Sequence, residues 1–212
     1  LIGFAGAPFT LASYAIEGGP SSNYARTKAL MYGEPEAWHR LADAFASIVG
    51  EYLVAQIEAG ARAVQVFDSW VGALSPEDYR EFALPHTRTI FERLQGLDAP
   101  TLHFGTGTTT LLKAMRDAGG DVIGLDWRIP LDHGWDLVGH DRAVQGNLDP
   151  TLLLGPETRM LRGAYEVLQR AQGRPGHIFN LGHGILPPTN LERVQTLARF
   201  VHEQTAQAQT VQ

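Results

Sequence analysis

GFAGAPFT, residues 3–10, contains the clearest fold signal of this sequence, an apolar run followed by a sharp break. Residues 1–5 form a short apolar run, which predicts a buried strand. Residues 6–8 interrupt that run, because glycine and other small residues allow a sharp turn and leave room beside the backbone for a ligand. The helix predicted over residues 9–16 would place Tyr14 just beyond the carboxyl end of the strand. Ligand sites of α/β folds are built at that end.

Strand-like and helix-like segments alternate along the whole chain. Apolar runs that predict strands begin near residues 2, 63, 101, 122, 143 and 177, and segments with helical periodicity or capping residues lie between them. Such alternation indicates a parallel sheet with right-handed crossovers. No stretch has the composition of a linker, so residues 1–212 are predicted to form a single domain.

Local signals set the limits of several elements. A helix is predicted over residues 108–118, a strand over 122–126, a short helix over 131–138 and the last strand over 177–181. Pro85 falls inside a helical pattern and should kink or break that helix.

Two architectures fit this pattern, an open doubly wound sheet and a (β/α)8 barrel. The phosphate-binding pattern G-x-G-x-x-G is absent, since Gly105-Thr106-Gly107 lacks the third glycine. Polar residues end nearly every predicted strand, as in a barrel whose catalytic face is built from all its strand ends. Six βα units are predicted and a barrel needs eight, so the missing first strands are expected to precede Leu1.

Composition excludes several classes of protein. Hydrophobic residues make up 44% and charged residues 19% of the 212 residues, as in a globular protein. The net charge of −6 argues against a nucleic-acid partner. No apolar run approaches the roughly 20 residues of a membrane span, so no membrane association is predicted. The sequence has no cysteine, which excludes disulfides and thiolate zinc sites and is compatible with a reducing cytoplasm.

Five motifs follow one another in order: GAPFTLASYAIEGG (residues 6–19), QVFDS (65–69), GLDW (124–127), QGNLDP (145–150) and NLGHG (180–184). Together they resemble the uroporphyrinogen decarboxylase family, and the resemblance runs the whole length of the chain. It implies a TIM (β/α)8 barrel and a cytoplasmic homodimeric carboxy-lyase of haem biosynthesis. Such an enzyme removes carbon dioxide from the four acetate side chains of uroporphyrinogen III to give coproporphyrinogen III. A protonated pyrrole of the substrate accepts the electrons, so no cofactor is expected.

The resemblance assigns roles to three residues. Tyr14 matches the active-site tyrosine of the family, which donates a hydrogen bond to a substrate carboxylate and assists proton transfer. Ser69 matches a strand-end hydroxyl that binds substrate, and His183 matches a histidine that binds a propionate or acetate. The family's aspartate for the pyrrole N–H groups and its carboxylate-binding arginines have no counterpart here and are expected before Leu1. The fragment alone is therefore expected to be inactive.

Each assigned residue also has a purely structural interpretation: a packed tyrosine, a helix-capping serine and a hydrogen-bonded histidine. Asp126 and Asp149 follow predicted strands and could suggest acid–base catalysis or a metal. The resemblance makes them structural, as acceptors of backbone N–H bonds that hold loops.

Two other functions stay open. Zinc-dependent corrinoid methyltransferases of the same superfamily carry His-x-Cys after one strand and a Cys near the last. Here His103-Phe104-Gly105 has only the histidine, and His183 stands in place of the last Cys. These residues do not supply the ligands that zinc requires, so no metal is predicted. The third possibility is a non-catalytic barrel fragment that binds a ligand or partner.

Overall fold

A computed structural model describes residues 1–209 of the chain, with side chains for residues 1–206. Parallel strands and helices alternate along it, as predicted. The chain divides into two compact units, Leu1–Ile123 and Gly124–Gln212. The single domain expected over residues 1–212 stays a prediction. Over residues 1–209, the helices all lack the combination of length and apolar character that crossing a membrane requires.

The first unit contains three strands in parallel and the beginning of a fourth. Its elements are β1 (Ile2–Gly6), α1 (Pro8–Glu17), α2 (Ala25–Gly33), α3 (Pro35–Glu58), β2 (Ala63–Asp68), a 3-10 turn (Val71–Ala73), α4 (Pro76–Asp78), a π-helical turn (Tyr79–Ala83), α5 (Leu84–Leu94), β3 (Thr101–Gly105), α6 (Leu112–Ala118) and β4 (Val122–Gly124). Strand β1 pairs with β2, and β2 pairs with β3.

The turn from β1 into α1 follows the expected chemistry. The backbone N–H of Ala7 still donates to Phe67 O of the neighbouring strand at 2.8 Å. Pro8 then opens α1, where its missing N–H costs no helical hydrogen bond. At the other end, Gly18 has φ 76°, and its N–H donates to Tyr14 O at 3.0 Å. Glycine adopts this left-handed backbone conformation without strain, and such a residue commonly ends a helix.

Helices α1, α3, α5 and α6 contribute to the core of the first unit. Phe9, Trp38, Tyr79 and Met115 are fully buried in one cluster. Burying one such large side chain contributes about 1.5–3 kcal/mol. The buried indole N–H of Trp38 donates to Phe82 O at 2.8 Å, which satisfies its polar atom inside the core.

The opposite face of the sheet carries a row of aromatic rings. Phe4, Phe67 and Phe104, on successive strands, meet edge to face with centroids 5.8 and 5.9 Å apart. Phe4 is 62% exposed at the end of this row. Its backbone is bonded to the Gln56 side chain, which accepts from Phe4 N–H at 2.7 Å and donates to Phe4 O at 3.0 Å. A side-chain amide thus takes the place of a strand partner at Phe4.

The predicted break at Pro85 is confirmed, whereas the predicted start of the helix at residue 108 is wrong. Pro85 does interrupt the helical pattern: the π-helical turn ends at Ala83, and Pro85 lies in the first turn of a new helix, α5. The helix predicted from residue 108 begins only at Leu112. The residues before it form a turn in which Leu111 N–H donates to Thr108 O at 2.7 Å.

The second unit continues with α7 (Leu131–Val138), β5 (Ala143–Leu148), a 3-10 turn (Pro150–Leu154), α8 (Glu157–Ala171), β6 (His177–Leu181) and α9 (Leu191–Gln209). Strands β5 and β6 are parallel, with Val144 opposite His177. The bounds of α7 and β6 agree with the prediction. Strand β4 ends at Gly124, two residues earlier than predicted, and Leu125 N–H then donates to Gln145 O at 2.8 Å.

Candidate active site

Tyr14 lies in the second half of α1 and is 49% exposed. Its ring packs against that of Trp70 in a tilted arrangement, with centroids 3.8 Å apart and an angle of 34° between the planes. Trp70 follows Ser69 in the loop after β2. The structure therefore brings Tyr14 to the same loop as Ser69, although the two residues are 55 positions apart in the sequence.

Tyr24 is a third aromatic residue at this place, and sequence reasoning missed it. Its ring lies 5.3 Å from that of Trp70, and we call Tyr14, Tyr24 and Trp70 the aromatic cluster. Tyr24 precedes α2 with φ 54°, an unusual value for a residue with a side chain, and its N–H donates to Ser21 Oγ at 2.9 Å. The sequence signal available for this position is the run of turn-forming residues Pro20-Ser21-Ser22-Asn23 before it.

The Tyr24 hydroxyl is a weaker acid than a free phenol. Burial raises its pKa, and the neighbouring Tyr14 and Glu17 raise it further. The Tyr24 hydroxyl therefore stays protonated at neutral pH and can donate a hydrogen bond.

Ser69 is held by its backbone. Its carbonyl accepts a hydrogen bond from Thr106 Oγ1 in the loop after β3. A Cβ atom on Gly72 would lie 2.1 Å from Thr106 O, so the two loops approach this closely only because residue 72 is glycine. The 3-10 turn that follows begins after Trp70 without a side-chain cap. Ser69 is therefore not a capping serine.

His183 belongs to the second unit and follows β6. It is exposed, and its ring meets Trp127 edge to face at 6.1 Å. Its neighbour Gly182 donates from N–H to Leu148 O at 2.7 Å. A Cβ atom on Gly182 would lie 2.5 Å from the backbone N of Trp127, so the glycine of the NLGHG motif permits this close approach.

Arg128 is a functional candidate that sequence reasoning did not single out. Its guanidinium lies 4.0 Å from the centroid of the Trp127 ring, in cation–π geometry. It also pairs with Asp126 at 2.6 Å, while its side chain stays 49% exposed. Arginine binds carboxylates in a planar, bidentate manner. A positive group and a histidine therefore flank Trp127.

The acids predicted to be structural do hold loops. Asp126 Oδ1 accepts from Arg128 N–H at 3.0 Å, and Asp149 Oδ1 accepts from Thr151 N–H at 2.8 Å. Asn147 donates to Asp126 O at 2.8 Å and to Ile129 O at 2.7 Å. These bonds confirm that Asp126 and Asp149 accept backbone N–H groups of their loops, and their purely structural role stays a prediction.

The histidines are dispersed. His103 is fully buried, and His177 contacts Gly146 O through Nε2 at 2.8 Å. His39 and His86 contact each other at 2.9 Å on neighbouring helices. Among residues 1–209, the histidine, aspartate and glutamate side chains form no group of three or more that could hold a metal ion.

Comparison with known proteins gives a consistent result. The family model described as "Uroporphyrinogen decarboxylase (URO-D)" matches residues 1–204. The chain is 57% identical over 202 residues to "Uroporphyrinogen decarboxylase" of Sorangium cellulosum. This alignment covers 95% of this chain and 58% of that protein. The proteins of the same name from Koribacter versatilis and Streptomyces coelicolor are 53% identical over 208 residues and 55% identical over 205 residues.

These alignments cover 98% and 97% of this chain but 59% and 58% of the two proteins. The chain therefore spans less than two thirds of the length of the relatives it matches.

Proposed function

This chain belongs to the uroporphyrinogen decarboxylase family, and we propose from that membership that the complete protein is a carboxy-lyase. Its proposed reaction removes carbon dioxide from the four acetate side chains of uroporphyrinogen III and yields coproporphyrinogen III. The observation that carries the proposal is the family match over residues 1–204, at 57% identity to one relative.

The proposed chemistry needs no cofactor. When a pyrrole of the substrate is protonated, it can accept the electron pair of the carbon–carbon bond as carbon dioxide leaves. The exocyclic methylene then gains one proton and becomes a methyl group, and the ring loses the proton that it had taken up. The protein has to bind the pyrrole, move these protons and stabilise the reacting carboxylate.

Tyr14 is the proposed catalytic residue. Its ring is fixed by the stack on Trp70, and about half of the side chain is accessible to a ligand. In the proposed mechanism its hydroxyl donates a hydrogen bond to the acetate carboxylate and assists proton transfer. Ser69 lies one residue before Trp70 and is proposed to bind substrate through its hydroxyl.

His183 is proposed to bind a propionate or acetate carboxylate. Its exposure on the loop after β6 supports this role, and so does the guanidinium of Arg128 across Trp127. Eight carboxylates on the substrate require positive groups at the site in spite of the net charge of −6. Arg128, which is 49% exposed beside its partner Asp126, can offer further N–H donors to a carboxylate, and His183 can donate a hydrogen bond from its ring.

The proposal extends to the assembly and location of the complete protein. The strand–helix alternation and the family suggest a (β/α)8 barrel, a homodimer and a cytoplasmic enzyme. Sedimentation of the complete protein would test the dimer, and a structure of the complete protein would test closure of the barrel.

Turnover of uroporphyrinogen III is the direct test. The complete protein is incubated anaerobically with the substrate, and the products are oxidised and separated by chromatography. Successive loss of one to four carboxyl groups is expected, and activity should survive treatment with a chelator. An intact substrate would contradict the proposal. Stoichiometric zinc, with activity lost on chelation, would instead support the zinc-dependent methyltransferase.

A further inference from the structure

A buried threonine connects α1 to the loop that carries Ser69 and Trp70. Thr10, 4% exposed, lies in the first turn of α1. Its hydroxyl donates to Asp68 Oδ1 at 3.2 Å and accepts from the backbone N–H of Trp70 at 3.3 Å. A single hydroxyl therefore holds the last residue of β2 and a residue of the following loop.

Asp68 is an unusual residue for this position. Its side chain is fully buried, although an isolated carboxylate is costly to remove from water. Its second oxygen, Oδ2, lies 3.9 Å from His103 Nε2, and neither atom has a hydrogen-bond partner within residues 1–209. His103 is held from the other side by a contact of Nδ1 with Met115 O at 3.3 Å.

The hydrogen bond to Thr10 determines where the backbone of Trp70 lies. The bond from its N–H to Thr10 fixes the backbone at the point where the indole turns toward Tyr14. The Trp70 ring then lies 3.8 Å from the ring of Tyr14 and 5.3 Å from that of Tyr24. The position of the aromatic cluster therefore depends on the hydrogen bonds of Thr10 with Asp68 and Trp70.

We propose that Thr10 and Asp68 are positioning residues, which orient Trp70 and through it hold the Tyr14 ring against which the substrate reacts. Neither side chain needs to touch the substrate, because both are buried beneath the loop. The part of this inference that concerns turnover rests on the proposed decarboxylase function. The part that concerns the geometry of Trp70 does not.

Thr10→Val is the decisive variant, because it keeps the branched shape and removes the hydroxyl that serves both bonds. Thr10→Ser keeps a hydroxyl but lacks the methyl group, so it should retain the orientation of Trp70. Thr87→Val is the matched control: Thr87 is also fully buried on a helix of the same unit, and its hydroxyl has no hydrogen-bond partner in the described part of the chain.

The readout is fluorine NMR of the complete protein labelled with 5-fluorotryptophan. The Trp70 resonance is assigned by its loss in Trp70→Phe. Because the Tyr14 ring lies against this indole, its ring current makes the resonance sensitive to the stack. Thr10→Val should displace the Trp70 resonance, whereas Thr10→Ser and Thr87→Val should leave it in place. An unmoved Trp70 resonance in a folded Thr10→Val protein overturns the proposal.

Turnover provides the second readout. Thr10→Val should lower kcat/KM by about tenfold, and Thr10→Ser should recover most of it. Adding Thr10→Val to Tyr14→Phe should cost little more than Tyr14→Phe alone, because both changes act on one interaction. Fully multiplicative losses would overturn the link between Thr10 and Tyr14.

The two proposals can fail separately. If the unmodified protein does not turn over uroporphyrinogen III, the proposed function fails, and the fluorine spectra still decide whether Thr10 positions Trp70. If Thr10→Val merely unfolds the protein, thermal melting will show it. Thr10→Ser must then match the unmodified protein in its Trp70 resonance, and a displaced resonance in that variant would overturn the proposal.

Discussion

At the scale of single residues, Tyr14 is half-exposed while its ring packs against another aromatic ring of the candidate site. Trp70 supports it on one side, and Tyr24 contacts Trp70 in turn. An exposed tyrosine with a fixed ring presents its hydroxyl in one direction. A hydroxyl preorganised in this way is better suited to binding or chemistry than that of an ordinary surface tyrosine.

Tyr14→Phe should lower kcat/KM of the complete protein by about ten- to a hundredfold without unfolding it. The change would remove the charge-assisted hydrogen bond that Tyr14 is proposed to donate to a substrate carboxylate, worth roughly 1.5–3 kcal/mol, and would keep the ring against Trp70. Steady-state kinetics and a thermal melt measure the two effects. Tyr52→Phe, at an exposed tyrosine on α3, is the control and should leave both unchanged. Unchanged kinetics in Tyr14→Phe would remove this hydroxyl from the site.

His183→Asn should raise KM more than it lowers kcat. The histidine is proposed to hold a side-chain carboxylate that is present in both the substrate and the transition state, and uniform binding of that kind affects KM. The steady-state parameters of the variant are compared with those of His202→Asn, at an exposed histidine on α9. A large fall in kcat at constant KM would instead make His183 a proton-transfer group.

At the scale of elements, the packing of α3 against α5 contains a buried histidine. His86, 3% exposed, contacts Asp43 Oδ1 through Nδ1 at 2.7 Å and His39 through Nε2 at 2.9 Å. Burial lowers the pKa of His86 below its usual 6.5; the bond to Asp43 opposes this shift and His39 adds to it. Burial also lowers the pKa of His177 in the second unit.

The stability of the protein should therefore fall as the pH falls below about 6.5. Between the lowered pKa of folded His86 and its usual value, the unfolded chain binds more protons than the folded one, so acid favours unfolding. Above the usual value both states are neutral and this dependence disappears. Urea unfolding at several pH values measures it. His86→Gln should flatten the slope without abolishing it, because His177 contributes too. An equally steep slope in His86→Gln would contradict this assignment.

At the scale of the whole molecule, apolar side chains are exposed at Leu1 and along β1. Leu1, Ile2 and Phe4 are 93%, 54% and 62% exposed, and Phe4 ends a row of three aromatic rings. Gln56 satisfies the backbone of Phe4 but covers one residue of a five-residue strand. Ile178 on β6 is also 44% exposed. Apolar strands of this kind pair with other chains.

Residues 1–212 expressed alone should consequently aggregate or melt without cooperativity. Because they span only 58% of the length of the Sorangium cellulosum relative, they are also not expected to decarboxylate uroporphyrinogen III by themselves. Size-exclusion chromatography, calorimetry and a turnover assay measure these properties, with the complete protein as the control. A monodisperse fragment that melts cooperatively would contradict the expected association. Turnover by the fragment would show that the residues needed for chemistry all lie within it.

Elements with strong local signals were predicted closely from the sequence. The bounds of α7 and β6 are as predicted, because caps, glycines and a short apolar run act over a few residues. Residues 75–78, Ser-Pro-Glu-Asp, also carry a strong local signal for a helix start, and Ser75 Oγ accepts from Asp78 N–H at 3.1 Å. Limits set by turns were predicted less well: the residues before Leu112 have helical composition but form a turn first.

The alternation of strands and helices, the family resemblance and the candidates Tyr14, Ser69 and His183 could all be predicted from the sequence. The contacts between distant side chains could not, and they are known only from the folded chain. Tyr24, Trp70 and the Thr10–Asp68 pair come together across loops and strands, and Thr10 and Asp68 are 58 residues apart. Periodicity and capping report interactions within one element, whereas these contacts depend on strand register and on the close approach of two loops. No local pattern of residues encodes that geometry.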